Sequence, residues 1–244
     1  IDFQKEIEQI ATDFLNSNVD SYNDRIYIVA SDPNTGEILG MTGKQRSTSN
    51  EIVDDALGVI NSSYGMGSAV KGAMVLTGYM SGVISADNNV LVDEPLQFQG
   101  SNPKKSVFNP TIGNQVAIND IEALARSSNV YMIKLAMLMG GQSTYESGGT
   151  LNISPDLIDE LRSYFAQFGL GVKTGIDLPN EGSGLTGFSQ AAVNVVDQSF
   201  GQYDLYTTLQ LSQYINTIAN GGTRYAPQLV SEIRSTDANG ALGA

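Results

Sequence analysis

Ser68 and Lys71 stand three residues apart at the head of an apolar run, Gly67-Ser68-Ala69-Val70-Lys71-Gly72-Ala73-Met74. On a helix that spacing puts two side chains on one face, a single turn apart. A serine hydroxyl becomes a nucleophile when a base takes its proton, and an amine can be that base if burial lowers its pKa toward neutrality. The positive end of a helix would also favour an oxyanion developing on an attacked carbonyl. The same residues equally suit a helix whose serine caps it and whose lysine snorkels to water. Taken alone, the pair leaves both readings open.

Further along, Ser127-Ser128-Asn129 falls between two predicted helices. A turn there can present Ser127 and Asn129 to a cleft. A second hydroxyl beside the lysine can relay a proton to a leaving amine, and an asparagine amide can hold a substrate backbone. Ser and Asn are also ordinary residues for capping the second helix.

Composition narrows the chemistry. The chain has no histidine and no cysteine, so neither a Ser-His-Asp triad nor a Cys-His dyad is available. Zinc and other soft-metal sites lose their ligands for the same reason, and neither metal nor cofactor is expected. A net charge of −13 argues against nucleic acid, whose phosphates need a basic face, and against a polybasic membrane anchor. No apolar run reaches the roughly 18–20 residues of a membrane span. No leader is recognisable, and Ile1-Asp2-Phe3-Gln4 reads as the middle of a protein. With 244 residues and no internal repeat, one domain over residues 1–244 is expected.

The elements that must position the motifs follow from periodicity. Phe3, Ile7, Ile10 and Phe14 predict the inner face of a first helix that Asp2 can cap. Arg25 to Ala30 is β-branched and aromatic, and Asp32-Pro33-Asn34-Thr35-Gly36 turns it into a returning strand, Glu37 to Gly43. Ser68 to Met80 is apolar on nearly every side, which predicts a buried helix, with close packing at Gly72 and Gly78. Lys104-Lys105 reads as a solvated tip. Helices are predicted over Ile118–Arg126 and Asn129–Met139, whose methionines read as core filling. Others are predicted from Ser154-Pro155 to Gly169, over Gln190–Asp197, and over Thr208–Asn220 with Leu211, Ile215 and Ile218 inward. Tyr225 to Ile233 reads as the start of a strand.

With these residues in hand, the sequence resembles the penicillin-binding proteins and serine β-lactamases, whose signature is S-x-x-K followed by S-x-N. Ile28 to Leu39 is similar to the opening hairpin of their transpeptidase domains. Further landmarks are Thr174 to Pro179, Phe200-Gly201-Gln202, Thr208 to Leu211 and Ile218 to Gly222. The loop Asp93 to Ser101 is similar to class B proteins of the elongation type in low-GC Gram-positive bacteria. The resemblance implies an α/β fold of the α+β type, with a central antiparallel sheet and helices on both sides. It implies a D,D-transpeptidase that cross-links peptidoglycan stem peptides and is acylated by β-lactams. Ser68 would be the nucleophile, Lys71 the general base, Ser127 the proton relay and Asn129 the substrate-binding amide. It further implies work at the outer face of the cell membrane, on a parent protein anchored by an N-terminal helix absent here. The partners implied are a membrane glycan polymerase and other proteins of the elongation complex.

The family's third motif, K-[ST]-G on a cleft-lining strand, is matched in letters by Lys173-Thr174-Gly175. That stretch follows a helix end and is stopped by Pro179, so it does not read as such a strand. The true motif is expected beyond Ala244, which would leave the last strands missing and this segment alone inactive. Two other readings stay in view. A β-lactamase or penicillin-sensing domain shares the fold, but no glutamate here has an asparagine four residues later to activate a deacylating water. A non-catalytic, peptidoglycan-associated scaffold would keep the fold without the chemistry.

Overall fold

The computed structural model describes residues 2–20 and 22–235. Along the chain it forms α1 (Asp2–Ser17), β1 (Arg25–Ser31), β2 (Ile38–Arg46), β3 (Ile52–Asp54), α2 (Gly58–Asn61) and β4 (Ser63–Tyr64). A single 3-10 turn, Gly67–Val70, runs directly into α3 (Lys71–Met80). Then come β5 (Leu91–Asp93), β6 (Val116–Ile118), α4 (Asp120–Ala125) and α5 (Asn129–Met139). The last are α6 (Leu157–Gln167), α7 (Ala192–Gln198), β7 (Tyr206–Thr207) and α8 (Thr208–Ala219). No helix among the described residues is long and apolar enough to cross a membrane.

The chain divides into two compact units. One takes the described residues of Ile1–Ser62, Lys173–Gly182 and Thr208–Ala244, and the other takes Ser63–Val172 and Ser183–Thr207.

In the first unit β1, β2 and β3 form an antiparallel sheet, with Ile28 opposite Thr42 and Val29 opposite Met41. Side chains alternate across a strand. Gly40 accordingly faces α1, where a Cβ would lie 2.8 Å from Ile7, and Met41 packs with Val29 and Ile38 on Val59, Ile60 and Leu209. Helices therefore cover both faces of the sheet, as expected. Gln4 of α1 serves as a substitute strand partner: its amide takes the Met41 N–H at 3.0 Å and donates to the Met41 carbonyl at 2.9 Å.

Three expectations fail here, each where a polar side chain pairs with backbone groups distant in sequence. In α1 the buried residues are Ile7, Ala11 and Leu15, while Phe3, Ile10 and Phe14 are exposed. Docking of Gln4 on the sheet edge sets that phase. In α8, Leu209, Gln210, Gln213, Tyr214 and Thr217 are buried, and Ile215 and Ile218 are exposed. Gln213 turns inward because its amide donates to the carbonyls of Thr174 and Tyr225 at 3.0 and 2.8 Å. Residues 225–233 form no strand beyond a single bridge between Glu37 and Gln228. The Asp177 carboxylate holds this stretch instead, accepting from the Leu229 and Val230 amides at 2.9 Å each.

The second unit is built around α3, with α4, α5 and α6 packed on it and α7 beside α5 and α6. Both α3 and α5 are buried on nearly every side, Met132 and Met137 included, so the methionines fill core as expected. Gly78 allows the close approach, since a Cβ there would sit 3.1 Å from Leu135. Lys104 is no solvated tip: its amine pairs with Asp197 at 2.5 Å.

The link nearest the chemistry is the short pairing of β4 with β7, Ser63 opposite Thr207 and Tyr64 opposite Tyr206. It aligns the segment that leads into Ser68. Just before β7, Asp204 is 1% exposed and takes a two-point bond from Arg162 of α6, both contacts 2.9 Å. Arg162 also donates to the Gly187 carbonyl, and the Gly187 amide donates to Asp204, each at 2.9 Å. Removing one member of such a pair leaves a buried charge without its partner. Arg162→Met should lower the unfolding free energy by about 3 kcal/mol, measured by urea titration. The double variant Arg162→Met with Asp204→Leu should recover much of that loss.

Candidate active site

Lys71 opens α3 with its side chain inside the protein, 2% exposed, while Ser68 lies on the preceding 3-10 turn and is exposed. The α-helix starts at the lysine and not at the serine. The Lys71 ammonium donates to the Ser127 carbonyl at 2.7 Å, to Ser127 Oγ at 2.9 Å and to Asn129 Oδ1 at 2.7 Å. Three protons meet three acceptors. Among the described residues no hydrogen bond reaches Ser68 Oγ, so the structure joins Lys71 to Ser127 and Asn129 and leaves the serine hydroxyl open at the surface.

Burial pushes the Lys71 amine down to about 8, with the nearby Asp93 carboxylate opposing it. A neutral amine has two protons and a lone pair. Of its three partners only Ser127 Oγ carries a proton, so on deprotonation that hydroxyl is the one able to turn and donate to the nitrogen. Ser127 is thus the natural neighbour for moving a proton to or from Lys71.

The turn that supplies these oxygens is the junction of two helices. Ser127 N donates to Leu124 O at 3.1 Å and Ser128 N to Ala123 O at 2.8 Å, the pair of bonds that closes a Schellman motif on α4. That motif needs a left-handed residue, usually glycine, and Ser127 fills it at φ +53. Ser128 then caps α5 by accepting from Tyr131 N at 2.9 Å. Asn129 is oriented because its Nδ2 donates to Lys105 O at 3.1 Å, which turns Oδ1 toward Lys71. The capping role open to Ser127-Ser128-Asn129 is therefore real, belongs to Ser128, and coexists with a site.

Beside Asn129 a cleft of about 240 Å³ is bounded by Pro103, Lys104, Lys105, Phe200 and Gln202. A larger cavity of about 520 Å³ in the first unit, against β1 and α8, holds no amine or carboxylate and is no candidate for proton chemistry. Sequence reasoning missed one contact that shapes the nucleophile's approach. Gly67 N donates to Gly201 O at 3.0 Å, and a Cβ on Gly201 would lie 2.1 Å from Gly67 O, at a φ of +81. The Phe200-Gly201-Gln202 landmark was visible, but nothing in the letters pairs it with Gly67. Lys173-Thr174-Gly175 belongs to the first unit and lies in no strand. Lys173 is exposed, and the Glu181 carboxylate accepts from Thr174 N and Oγ1 at 2.5 Å each and from Gly175 N at 3.2 Å.

The arrangement is thus a buried lysine amine held by a serine and an asparagine, one helical turn after an exposed serine. The penicillin binding protein transpeptidase domain family matches residues 26–242, and the chain belongs to that family. It is 46% identical to penicillin-binding protein 2A of Bacillus subtilis strain 168, over 100% of this chain and 34% of that protein. It is 37% identical to penicillin-binding protein 2B of Streptococcus pneumoniae strain D39, over 99% of this chain and 36% of that one. The chain thus spans about a third of the length of these relatives. The solved structure of penicillin-binding protein 2B from S. pneumoniae strain R6 superposes with a TM-score of 0.91 at 36% identity, covering 99% of this chain and 40% of that one.

The left-handed backbone of Ser127 can be tested apart from its hydroxyl. Ser127→Gly and Ser127→Ala both delete the hydroxyl, yet only alanine keeps a Cβ at positive φ. The glycine variant should be more stable than the alanine variant by about 1 kcal/mol, read from denaturant unfolding.

Proposed function

We propose that this chain carries the nucleophile, base and relay of a peptidoglycan D,D-transpeptidase that works through a serine acyl-enzyme. The observation that carries the reading is the buried Lys71 amine, held by Ser127 and Asn129 one turn from an exposed Ser68.

Ser68 Oγ attacks the carbonyl carbon of the amide joining two terminal D-alanines, and its proton passes to the neutral Lys71 amine. As the tetrahedral adduct collapses, the C–N bond breaks and the departing D-alanine amine takes a proton that reaches it from Lys71 through Ser127. The ester on Ser68 is then attacked by an amine of a neighbouring stem peptide. That amine gives its proton to Lys71, the new amide C–N bond forms as the ester C–Oγ bond breaks, and Lys71 returns a proton to Ser68 Oγ. Asn129 offers a polar amide at the edge of the adjoining cleft for the donor peptide backbone. A β-lactam enters by the same attack, but its ring nitrogen stays tethered after the C–N bond opens, so the ester persists. Such chemistry places the domain outside the cytoplasmic membrane, where stem peptides are found. A membrane glycan polymerase of the elongation machinery is the partner this reading implies.

Protein at its natural length, incubated with a fluorescent penicillin and digested, should carry one label, on the peptide containing Ser68. Ser68→Ala should carry none. Lys71→Arg keeps the charge without a usable base and should slow acylation by about 10²–10⁴-fold. Because the amine must be neutral to act, the second-order rate should rise with pH and level off above about 8. Rapid repeated turnover of nitrocefin would point to a β-lactamase. Absence of label from the natural-length protein would favour a scaffold.

A further inference from the structure

Below the Ser127–Asn129 turn lies a carboxylate for which the acyl-transfer reading has no use. Asp93 ends β5, is 1% exposed, and forms no ion pair among the described residues. Its Oδ2 accepts from Ser106 Oγ at 2.6 Å and from Ser128 Oγ at 2.5 Å, and its Oδ1 from Asn109 Nδ2 at 3.1 Å. Both hydroxyl oxygens are themselves acceptors. Ser106 Oγ takes the amides of Asn129 and Val130 at 3.1 and 3.2 Å, and Ser128 Oγ takes that of Tyr131 at 2.9 Å. Each hydroxyl has one proton to place. The two oxygens are 3.2 Å apart, so one proton could be shared between them, but not both. The carboxylate is the acceptor that settles the pair.

A chain of bonds therefore runs from Asp93 through two serines to three successive amides, the first N–H groups of α5. Those are the donors a helix leaves unpaired, and a negative charge behind them is well placed against the helix dipole. We propose that Asp93 is a positioning residue for the acyl-transfer site: through Ser106 and Ser128 it fixes the start of α5, and with it the Ser127 and Asn129 oxygens that hold Lys71. The proposal rests on the reading of Lys71 and Ser127 as base and relay. The arrangement explains how Ser127 is kept left-handed without glycine, since the residues following it are tied to a buried anchor and those preceding it to the end of α4. The same negative charge favours the protonated Lys71 and partly offsets its burial.

Asp93→Asn tests this. An amide has one acceptor oxygen, and its NH₂ must face either the Asn109 donor or the two hydroxyls, so the network cannot close. In the natural-length protein labelled with ε-¹³C-lysine, the Lys71 titration midpoint should fall by about half a pH unit or more. Acylation by a fluorescent penicillin should slow by about tenfold to a hundredfold, with the break in its pH profile following the lysine midpoint. Ser106→Ala keeps the charge and cuts the connection, so it should slow acylation while leaving the midpoint close to that of the parent. Asp93→Asn that folds, keeps the midpoint and acylates at the parental rate overturns the proposal. Should Asp93→Asn not fold, parental acylation rates in both Ser106→Ala and Ser128→Ala overturn it equally. A parent protein that takes no penicillin refutes the acyl-transfer reading, and the Lys71 midpoint still decides whether Asp93 acts on the amine.

Discussion

An amine held away from water is the constraint on which the second unit is built. Lysine favours its charged form in water, and burial makes that form costly unless oxygens replace the hydration shell. Here the replacement is exact in number, three acceptors for three protons, and all three come from two residues of one turn. Had the shell been richer in negative charge, the lysine would stay protonated to higher pH. Had it been apolar, the amine would have no route for its proton. The compromise keeps the amine near neutrality and beside a hydroxyl that can exchange protons with it.

Everything nearby serves to keep that turn and the serine segment in place. α3 and α5 are apolar on nearly all sides because they form the interior, so the residues at their first turns inherit fixed positions. Ser127 closes one helix in a conformation that glycine usually takes, and Ser128 opens the next. On the nucleophile's side, β4 pairs with β7 and Gly67 meets Gly201 too closely for any side chain. The chain belongs to the penicillin binding protein transpeptidase domain family, and its lysine meets oxygens from a stretch more than fifty residues away.

Much of this was legible in the letters. An absence of histidine and cysteine left a Ser–Lys pair as the economical nucleophilic device, and the long apolar runs at 71–80 and 129–139 announced buried helices. A β-branched and aromatic run at 25–30, followed by Asp32-Pro33-Asn34-Thr35-Gly36, announced the hairpin. Phase errors arose where polar side chains turn inward. Gln4 and Gln213 dock on backbone groups far away in sequence, which rotates α1 and α8 relative to their hydrophobic stripes. Asp177 likewise holds residues 229 and 230 where a strand was expected.

By itself, then, the sequence determined the repertoire of this protein: which side chains could do chemistry, which segments must be buried, and which family signature they compose. Those follow from residue type and local spacing, which act over a few residues. Tertiary structure alone decided that Lys71 donates to Ser127 and Asn129, that Ser127 is left-handed, and that Asp93 lies beneath the turn. Such outcomes depend on hydrogen bonds between groups tens of residues apart. Local propensity carries no information about partners brought together only by packing.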